Sequence, residues 1–594
     1  MKNCLHAMLL MALLLPVGLF AQTDTVNVPD FYDPAASGGG EGSLNNAITT
    51  AINAGTISSK VFKLKQYGLY VLSATIRVPA GKKLTLVAPD PGVTQQTSPP
   101  MICWTVSSGV NTTFNFDCFG DVYMKNIWIL YATQNTADIG TQVGSALEID
   151  EDSTDHLNVG TFENCIFDYA PISNGGGAIT VSASHARLNL TNCYFRNCID
   201  THFRYYSRAV SFPFGTSGWH NDVVSFENCT FANIGYVYMQ EAAEYGDTVK
   251  FNHCTFLNTV MYTLESGWWN WCSVTNCLYD NAYMFGYFRH GDGATPYGGA
   301  LNIDSISTFG FSVPFTEDTR HILFAYNSYW TEQWLKNYMA PYNATTNPTG
   351  GNEFSNRIFL LDPDSIPRPQ PMMSNKTLSF FQNKTVWPYV TLGWVDTTSA
   401  PGFLIPPTNL VGVKTFLYKK WYDNSDTTWA FDPHSDINQS WPINENMSYT
   451  NNTLKTAAMG SFPLGDLYHW WPGQYPAWKA QSAAEHANIT YMLTHTVGVE
   501  QQQPNVPGEY TLDQNYPNPF NPSTQINYTV PQRGYLTLKV FNVLGQQVST
   551  LFDGVRQAGS YVATFDGSKL ASGVYFYRLQ SNNVSITKKL VLMK

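Results

Sequence analysis

The chain has 594 residues and a formal net charge of −11, with only 13% charged residues against 14% aromatic residues. This length exceeds that of one ordinary compact domain, although a solenoid can grow by adding coils without widening its core. With only 33 Lys and Arg residues and a negative net charge, the chain has little basic surface that could bind a nucleic acid, and we therefore expect no nucleic-acid partner.

The first residues predict a secretory signal peptide over residues 1–21. Lys2 precedes a long apolar run that ends near the small residue Ala21, which is typical of a cleaved leader rather than of a membrane span. No other apolar run is long enough to cross a bilayer. We therefore expect an exported mature chain without a membrane span.

A helix and a set of strands are predicted directly after the leader. The segment SLNNAITTAINAG, which begins at Ser43, has the apolar spacing of an amphipathic helix. The segment from Lys60 onward predicts the first strands. Because the open end of a solenoid exposes unpaired backbone groups, we expect this helix to cap that end.

One short motif recurs in the region that follows. It consists of a strand-like run, then Asn or His, then Cys, and an aromatic residue two positions after the Cys. The spacing between aligned cysteines, 23 to 36 residues, is typical of one turn of a parallel β-solenoid. The five copies are GTFENCIF at Gly160, LNLTNCYF at Leu188, VSFENCTF at Val224, VKFNHCTF at Val249 and CSVTNCLY at Cys272.

Each position of this motif predicts a column of stacked side chains. Asn tolerates left-handed backbone geometry and suits the corners of the coil. The repeated cysteines should stack as small apolar side chains rather than form disulfides, and the aromatic residues should stack inside. The segment HILFAYNSYW predicts a further rung, with Asn327 at the corner, Ser328 in place of the Cys and Trp330 in the aromatic column.

In these asparagine and aromatic columns the sequence resembles the pectate-lyase-like right-handed parallel β-helix superfamily. The resemblance implies an all-β fold, a right-handed parallel β-helix over residues 22–496, and an association with extracellular polysaccharide. The calcium-binding Asp clusters of pectate lyases and the paired Asp residues of polygalacturonases are not evident. At the end of this region, we expect a Trp-rich terminal cap with a helix near residues 477–493.

The last part of the chain predicts a separate small β-sandwich. A polar linker over residues 497–510 precedes alternating strands and Gly-containing turns over residues 511–594. The elements NYPNPFNPST, LASGVYFYRL and KKLVLMK resemble the C-terminal sorting domain of type IX secretion substrates. This resemblance implies that the type IX secretion machinery is a partner, and that the protein is extracellular or on the outer surface of a Gram-negative bacterium.

A candidate polysaccharide surface follows from counting onward from each aligned cysteine. This count predicts four strands of one sheet, which begin at Thr201, Val237, Tyr262 and Gly286. Side chains on a strand alternate between the two faces, so Phe203, Met239, Leu264 and Phe288 should point inward. The outward side chains that we expect to bind substrate are Tyr238, Gln240, Tyr287 and His290.

Four further residues at this surface are candidates for catalysis. A lyase of the resembled superfamily needs a base that removes the proton next to a uronate carboxyl and a cation that neutralises that carboxyl. Arg204 and Arg289 could act as the base or as the carboxylate clamp, with assistance from His202 or His290. Glu265 could take part in acid catalysis or hold a cation. The alternative is that these polar side chains only face solvent.

An acidic segment between two strands is the one candidate metal site in the sequence. Asp150, Asp152 and Asp155 carry the oxygen ligands that Ca²⁺ prefers, although the segment lacks the Gly and Glu of an EF-hand loop. A solvated acidic loop is the alternative. Three functions remain open at this point: a lyase or hydrolase of acidic glycans, a non-catalytic glycan-binding or adhesive protein, and a structural surface protein.

Overall fold

The computed structural model describes most of residues 24–593, and contacts divide the chain into two units, Met1–Val497 and Gly498–Lys594. Each unit is described by itself. The ranges left out within 24–593 are 92–96, 105–113, 134–144, 152–157, 171–175, 200–206, 213–219, 241–244, 266–267, 287–297, 309–311, 340–367, 423–428, 432–439, 496–509, 516–517, 531–533, 557–558 and 582–583.

The first unit is built mainly from short strands. In chain order they are β1 (Asp24–Asn27), β2 (Lys60–Lys63), β3 (Leu69–Leu72), β4 (Ile76–Val78), β5 (Lys83–Val87), β6 (Met101–Trp104), β7 (Phe114–Cys118), β8 (Asp121–Lys125), β9 (Trp128–Thr133), β10 (Ser145–Asp150), β11 (Val159–Glu163), β12 (Ile166–Asp168), β13 (Gly177–Ser182), β14 (Ala186–Thr191), β15 (Tyr194–Cys198), β16 (Arg208–Phe212), β17 (His220–Glu227), β18 (Thr230–Ile234), β19 (Tyr236–Gln240), β20 (Tyr245–Asn252), β21 (Thr255–Thr259), β22 (Leu264–Glu265), β23 (Trp269–Thr275), β24 (Leu278–Asp280), β25 (His321–Ala325), β26 (Asn327–Trp330), β27 (Val390–Leu392), β28 (Val395–Asp396), β29 (Phe403–Ile405) and β30 (Asn446–Tyr449).

Six α-helices and six short 3-10 helices accompany the strands in the described part of the first unit. The α-helices are α1 (Ser43–Asn53), α2 (Gln333–Met339), α3 (Asn375–Gln382), α4 (Leu410–Tyr422), α5 (Leu467–Trp470) and α6 (Tyr475–Thr494). The 3-10 helices are Ala35–Ser37, Ile57–Ser59, Ile306–Thr308, Glu317–Thr319, Leu454–Thr456 and Met459–Ser461. None of the described helices combines the length and apolar character that crossing a bilayer requires.

Three parallel sheets form the body of the first unit, which confirms the predicted parallel β-helix. From β2 to β24, each coil gives one strand to sheet A, one to sheet B and one to sheet C, in that order. The strand orders are β1-β2-β5-β8-β11-β14-β17-β20-β23-β25-β27 in sheet A, β3-β6-β9-β12-β15-β18-β21-β24-β26-β28 in sheet B and β4-β7-β10-β13-β16-β19-β22 in sheet C.

The repeated asparagines lie at corners of the coil, as predicted. Asn164 and Asn228 have φ angles of 51° and 52°, in the left-handed region, and each turns the chain from sheet A into sheet B. A second Asn column lies at the C-terminal ends of the strands of sheet B, where Asn258 Nδ2 donates to Asn233 Oδ1 at 3.2 Å and Asn281 Nδ2 to Asn258 Oδ1 at 3.0 Å. Amide side chains thus connect successive coils.

The interior columns also agree with the repeat. Phe167, Phe195, Phe231, Phe256 and Tyr279 stack with ring centroids 4.4 to 5.2 Å apart. Every cysteine in the described ranges is buried with a free thiol, as expected of side chains that fill space rather than cross-link. Burial raises the pKa of the thiols of Cys165, Cys193, Cys229 and Cys254, which keeps these four protonated.

The rung from His321 to Trp330 differs from its prediction by one residue. Tyr329, not Trp330, pairs with Tyr279 of the aromatic column. Tyr326, not Asn327, takes the left-handed corner, with φ at 57°. A shift of one residue reverses the face of every side chain on a strand, so Trp330 lies outside the column, with the Lys336 ammonium 3.9 Å from its ring centroid.

The two predicted helices are present, but only the first caps an end. Helix α1 buries Leu44 and Ile48 against the first strands. Helix α6 instead lies along the side of the solenoid: its Tyr475 hydroxyl accepts from Asn192, and its Glu485 accepts from Asn252, two coils away. The prediction of a terminal cap there is wrong, because the corner amides offer this helix polar partners along several coils.

A buried charge network fastens the segment before α5 to sheet B. Arg196 donates through Nε to Asp168 at 2.7 Å and through Nη1 to Glu445 at 2.5 Å. All three side chains are buried, and burial raises the pKa of Asp168 to about 6 despite the adjacent guanidinium. Buried charges are retained where they are paired, so we assign this network a structural role.

The second unit is a sandwich of two antiparallel sheets around its own core, as predicted. Leu536, Leu538, Tyr577 and Leu590 are among its buried residues. One sheet has the order β31-β32-β35 and the other β34-β33-β36-β37. The strands are β31 (Thr511–Leu512), β32 (Ser523–Val530), β33 (Gly534–Asn542), β34 (Gln547–Arg556), β35 (Gly559–Asp566), β36 (Gly573–Ser581) and β37 (Val584–Leu592).

Candidate functional site

Sheet C carries two alternating rows of residues, which its pairing register defines. The inner row is apolar and belongs to the core; it consists of Ile76, Phe116, Leu147, Ile179, Val210, Tyr238 and Leu264. The outer row lies one residue further along each strand; it consists of Arg77, Asp117, Glu148, Thr180, Ser211, Met239 and Glu265. Paired strands in a sheet are about 4.8 Å apart, so neighbouring members of the outer row lie within reach of one another.

Two carboxyl groups occupy adjacent positions in the outer row. Asp117 on β7 pairs in register with Glu148 on β10. Glu148 Oε1 accepts a hydrogen bond from Ser182 at 2.6 Å. Burial, with a smaller contribution from the charges of Asp150 and Asp117, raises the pKa of Glu148 to about 7, although the hydrogen bond from Ser182 lowers it. Glu148 therefore exchanges its proton near neutral pH.

Asp117 is the more deeply buried of the pair. Its side chain is 3% exposed, and its Oδ2 accepts from Nε of the exposed Arg77 at 2.9 Å. Its Oδ1 is buried and has no hydrogen-bond partner within the described ranges. Burial raises the pKa of Asp117, while the charge of Arg77 lowers it. A buried carboxylate oxygen without a partner is costly, and it is free to accept from a bound hydroxyl.

Asp150 adds a third carboxyl on the same face, two residues beyond Glu148 on β10. Its Oδ1 accepts from the backbone N–H of Glu151 at 2.7 Å, and burial raises its pKa. We call Asp117, Glu148 and Asp150 the acidic patch. Carboxylates of this kind are also ligands that Ca²⁺ takes, so the predicted calcium role of Asp150 stays a prediction. Its predicted co-ligands Asp152 and Asp155 lie outside the described residues.

Cations are scarce on this face in the part of the chain that the structure describes. Arg77 lies at one end of the outer row. Arg208 is buried on β16, donates from Nη1 to Ser211 Oγ at 2.8 Å, and lies 5.6 Å from the ring centroid of Tyr236. The described charge of the face is therefore mainly negative, which favours neutral sugar hydroxyls over uronate carboxylates as ligands.

The orientation predicted for Tyr238 is wrong. Its side chain is fully buried, and its ring lies 5.1 Å from that of Phe212 in the core. It pairs in register with Leu264, whereas the prediction aligned it with Thr263. This one-residue shift exchanges the two faces, so Tyr238 cannot bind a ligand on the surface, and Thr263 is buried as well.

The strand predicted to begin at Thr201 falls on residues outside the described ranges. The described strand of sheet C in this coil is Arg208–Phe212, which pairs with Tyr236–Gln240. The connection that follows Cys198 is longer than the one that follows Ile234, and a count from the aligned cysteine cannot account for that difference. His202 and Arg204 fall within residues 200–206, outside the described ranges, so their predicted roles stay predictions.

The remaining predicted site residues have different outcomes. Glu265 belongs to the outer row and is half-buried; its catalytic role stays a prediction. Gln240 ends β19, and its side chain lies outside the description. Tyr287, Arg289 and His290 also lie outside the described residues.

The sequence analysis missed Asp117 and Glu148. Asp117 is the one carboxylate of the strand FNFDC, and Glu148 is one of two in SALEID; neither residue belongs to the cysteine repeat. The available signal was the alternation itself, because it places a charged residue between two inward-facing apolar ones. Only the register shows that the two carboxyls are neighbours.

Comparison with known proteins adds information on the second unit. No curated protein matches the chain. The sandwich has the strand order given above, and Phe520 forms an isolated bridge to Leu592, the last residue of β37. Residues 514–593 match the family model described as the secretion system C-terminal sorting domain, which supports export through the type IX system and a secreted or cell-surface location.

Proposed function

We propose that the first unit engages an extracellular polysaccharide on the outer face of sheet C. The observation that carries this proposal is the adjacent pair Asp117 and Glu148, with Glu148 titrating at about 7 and an oxygen of Asp117 without a partner in the described ranges. Repeated carboxyls along a parallel sheet provide acceptors for the hydroxyls of successive sugar units. Export through the sorting domain supports an extracellular ligand.

Hydrolysis of the glycan is a second candidate function, and the state of Glu148 favours it. Glycoside hydrolases use two carboxyl groups, one that protonates the glycosidic oxygen and one that activates water or attacks the sugar. Glu148, with its pKa raised to about 7 by burial, is partly protonated at neutral pH and suits the acid. Asp117 and Asp150 are candidates for the ionised partner. The described residues offer less support for a lyase, which needs a cationic base or clamp.

The test is a panel of neutral and acidic polysaccharides, incubated with the purified full chain with and without Ca²⁺. Binding is measured by co-sedimentation, and cleavage by reducing and unsaturated ends. We expect binding to at least one neutral glycan. If cleavage occurs, Glu148→Gln should lower its rate about 10²–10⁴-fold, the range for loss of a general acid, with binding retained.

Glu41→Gln is the matched control, because Glu41 is exposed and lies far from the acidic patch in sequence. It should change neither binding nor cleavage. Binding without cleavage would assign the protein to the non-catalytic glycan binders. Failure to bind any polymer of the panel would overturn the proposal and favour a structural surface protein.

A further inference from the structure

A second polar group lies near the N-terminal ends of three adjacent strands of sheet A, β14, β17 and β20. His185 precedes β14, His220 and Asp222 lie on β17, and Asp247 lies on β20. One ligand-type atom from each of His185, His220 and Asp222 lies within 4.8 Å of the others. The sequence gives no hint of this group, because its members are separated by the length of a coil.

The distances within the group match those between the ligands of one metal ion. His185 Nδ1 lies 3.1 Å and His220 Nε2 lies 3.7 Å from Asp222 Oδ1. His220 Nε2 lies 3.5 Å from Asp247 Oδ2. Ligand atoms that are each about 2.0–2.1 Å from a tetrahedral ion are about 3.3 Å apart, so small side-chain adjustments bring the atoms of His185, His220 and Asp222 to a common centre. Asp247, next to His220, is the candidate for the fourth ligand.

The backbone holds these side chains in position. The register between β14 and β17 shifts between Ala186 and Arg187, so Asp222 is the extra residue of a bulge on β17. Bulges redirect side chains and are common next to functional sites. His185 has a left-handed φ of 57°, and its backbone N–H donates to the carbonyl of His220 at 2.8 Å. Both features direct the ligand atoms toward one another.

Neighbouring side chains fix the rings and the carboxylate. The His220 ring stacks on Tyr245 with centroids 4.8 Å apart and meets the His185 ring edge-on at 4.1 Å. Arg187 donates from Nε and Nη2 to Asp222 Oδ2 at 3.2 and 3.1 Å, which leaves Oδ1 toward the histidines. Hydrogen bonds to the outer oxygen of a ligating carboxylate are typical of metal sites.

We propose that His185, His220, Asp222 and Asp247 bind a divalent transition metal of the Zn²⁺ type. Two imidazole nitrogens favour Zn²⁺ over Ca²⁺ and Mg²⁺, which prefer oxygen ligands. Four protein ligands from three coils describe a structural site that ties β14, β17 and β20 together. This site is separate from the acidic patch and does not depend on the polysaccharide proposal.

The test uses the purified full chain after treatment with a chelator and dialysis. Titration with Zn²⁺ alone, followed by calorimetry, should show binding of a single ion, and Co²⁺ should give the intense visible absorption of a tetrahedral site. His185→Asn retains a residue that tolerates left-handed backbone, and Asp222→Asn retains the shape of the carboxylate. Since loss of a supporting hydrogen bond alone weakens metal sites 10–100-fold, each variant should bind Zn²⁺ at least about a hundredfold more weakly.

The matched control is His495→Asn, because His495 is exposed at the end of α6 and belongs to no such group among the described residues. Its Zn²⁺ affinity should equal that of the parent chain. A circular dichroism melt of each variant without metal verifies that the fold is retained. Absence of Zn²⁺ binding in the parent chain, or equal affinity in both ligand variants and the control, would overturn the proposal.

Discussion

Glu148 combines burial with an acidic group, and this combination makes stability depend on pH. Burial raises the pKa of Glu148 to about 7, whereas an unfolded Glu titrates near 4.3. The folded state therefore binds a proton more tightly than the unfolded state between these values. The raised pKa of Glu148 therefore corresponds to a contribution to the free energy of unfolding that is fully present below about pH 4. This contribution is lost as the pH rises through about 7, where the carboxyl of the folded state also ionises.

Replacement of this one carboxyl should remove that pH dependence. Glu148→Gln keeps the oxygen that accepts from Ser182 but cannot ionise, so we expect it to exceed the parent chain in free energy of unfolding at pH 8 by about 1–3 kcal/mol. At pH 4 the two proteins should be nearly equal. Denaturant melts at both pH values measure this difference; a variant that is less stable at pH 8 would show that ionised Glu148 is well solvated.

Single residues were the least predictable part of the molecule. Tyr238 was expected on the surface and lies in the core, because a count along the chain carries an error of one residue that only strand pairing corrects. Asp117 and Glu148 were missed because their significance depends on adjacency across strands that are distant in sequence. Chemistry-bearing residues that appear once give no periodic signal.

The Asn column after sheet B is the element in which sequence and structure agree most directly. Asn233 has φ at 60°, donates to Pro407 O at 2.7 Å and accepts from Asn258. Its members Asn197, Asn233, Asn258 and Asn281 each lie four residues after an aligned cysteine, and this repetition makes the column visible in the sequence. The connections between sheets vary in length from coil to coil, and they are where the predicted register failed.

Two substitutions at Asn233 should separate its two roles. Asn233→Ala loses the amide and places a Cβ residue at a left-handed φ, and we expect it to lower the free energy of unfolding by about 2–4 kcal/mol. Asn233→Gly loses the amide but tolerates the backbone angle, so its cost should be smaller by about 1 kcal/mol. Chemical denaturation of both variants measures the two terms. Equal costs would mean that backbone conformation contributes little at this corner.

At the scale of the whole molecule, the division into two units matches a division of tasks. The solenoid carries the candidate ligand surface, and residues 514–593 carry the match to the sorting domain. Sequence elements such as LASGVYFYRL allowed the second unit to be recognised as a sorting domain. The sequence of the solenoid, in contrast, indicated a fold but no activity. A fold is shared by many functions, so this asymmetry is expected.

Removal of the second unit should abolish export but leave the solenoid folded. A chain that ends at Val497 retains the three parallel sheets and their core, so we expect it to remain in the periplasm of a host with a type IX system. Immunoblots of cell fractions and medium measure its location. As the reciprocal control, residues 498–594 fused to a periplasmic reporter should carry that reporter to the surface or the medium. Secretion of the truncated chain would contradict this assignment.

The column of free cysteines makes correct folding depend on how fast the coils form. Inside the solenoid each described thiol is buried, burial raises the pKa of thiols such as those of Cys193 and Cys229, and an inaccessible thiol does not react with oxidants. An exported chain, however, passes through an oxidising compartment, where the same thiols are accessible until the coils form. The coils must therefore form faster than the thiols oxidise. A substitution that delays formation of the first coils should lead to misfolded, disulfide-linked chains, even where the folded protein would tolerate that substitution.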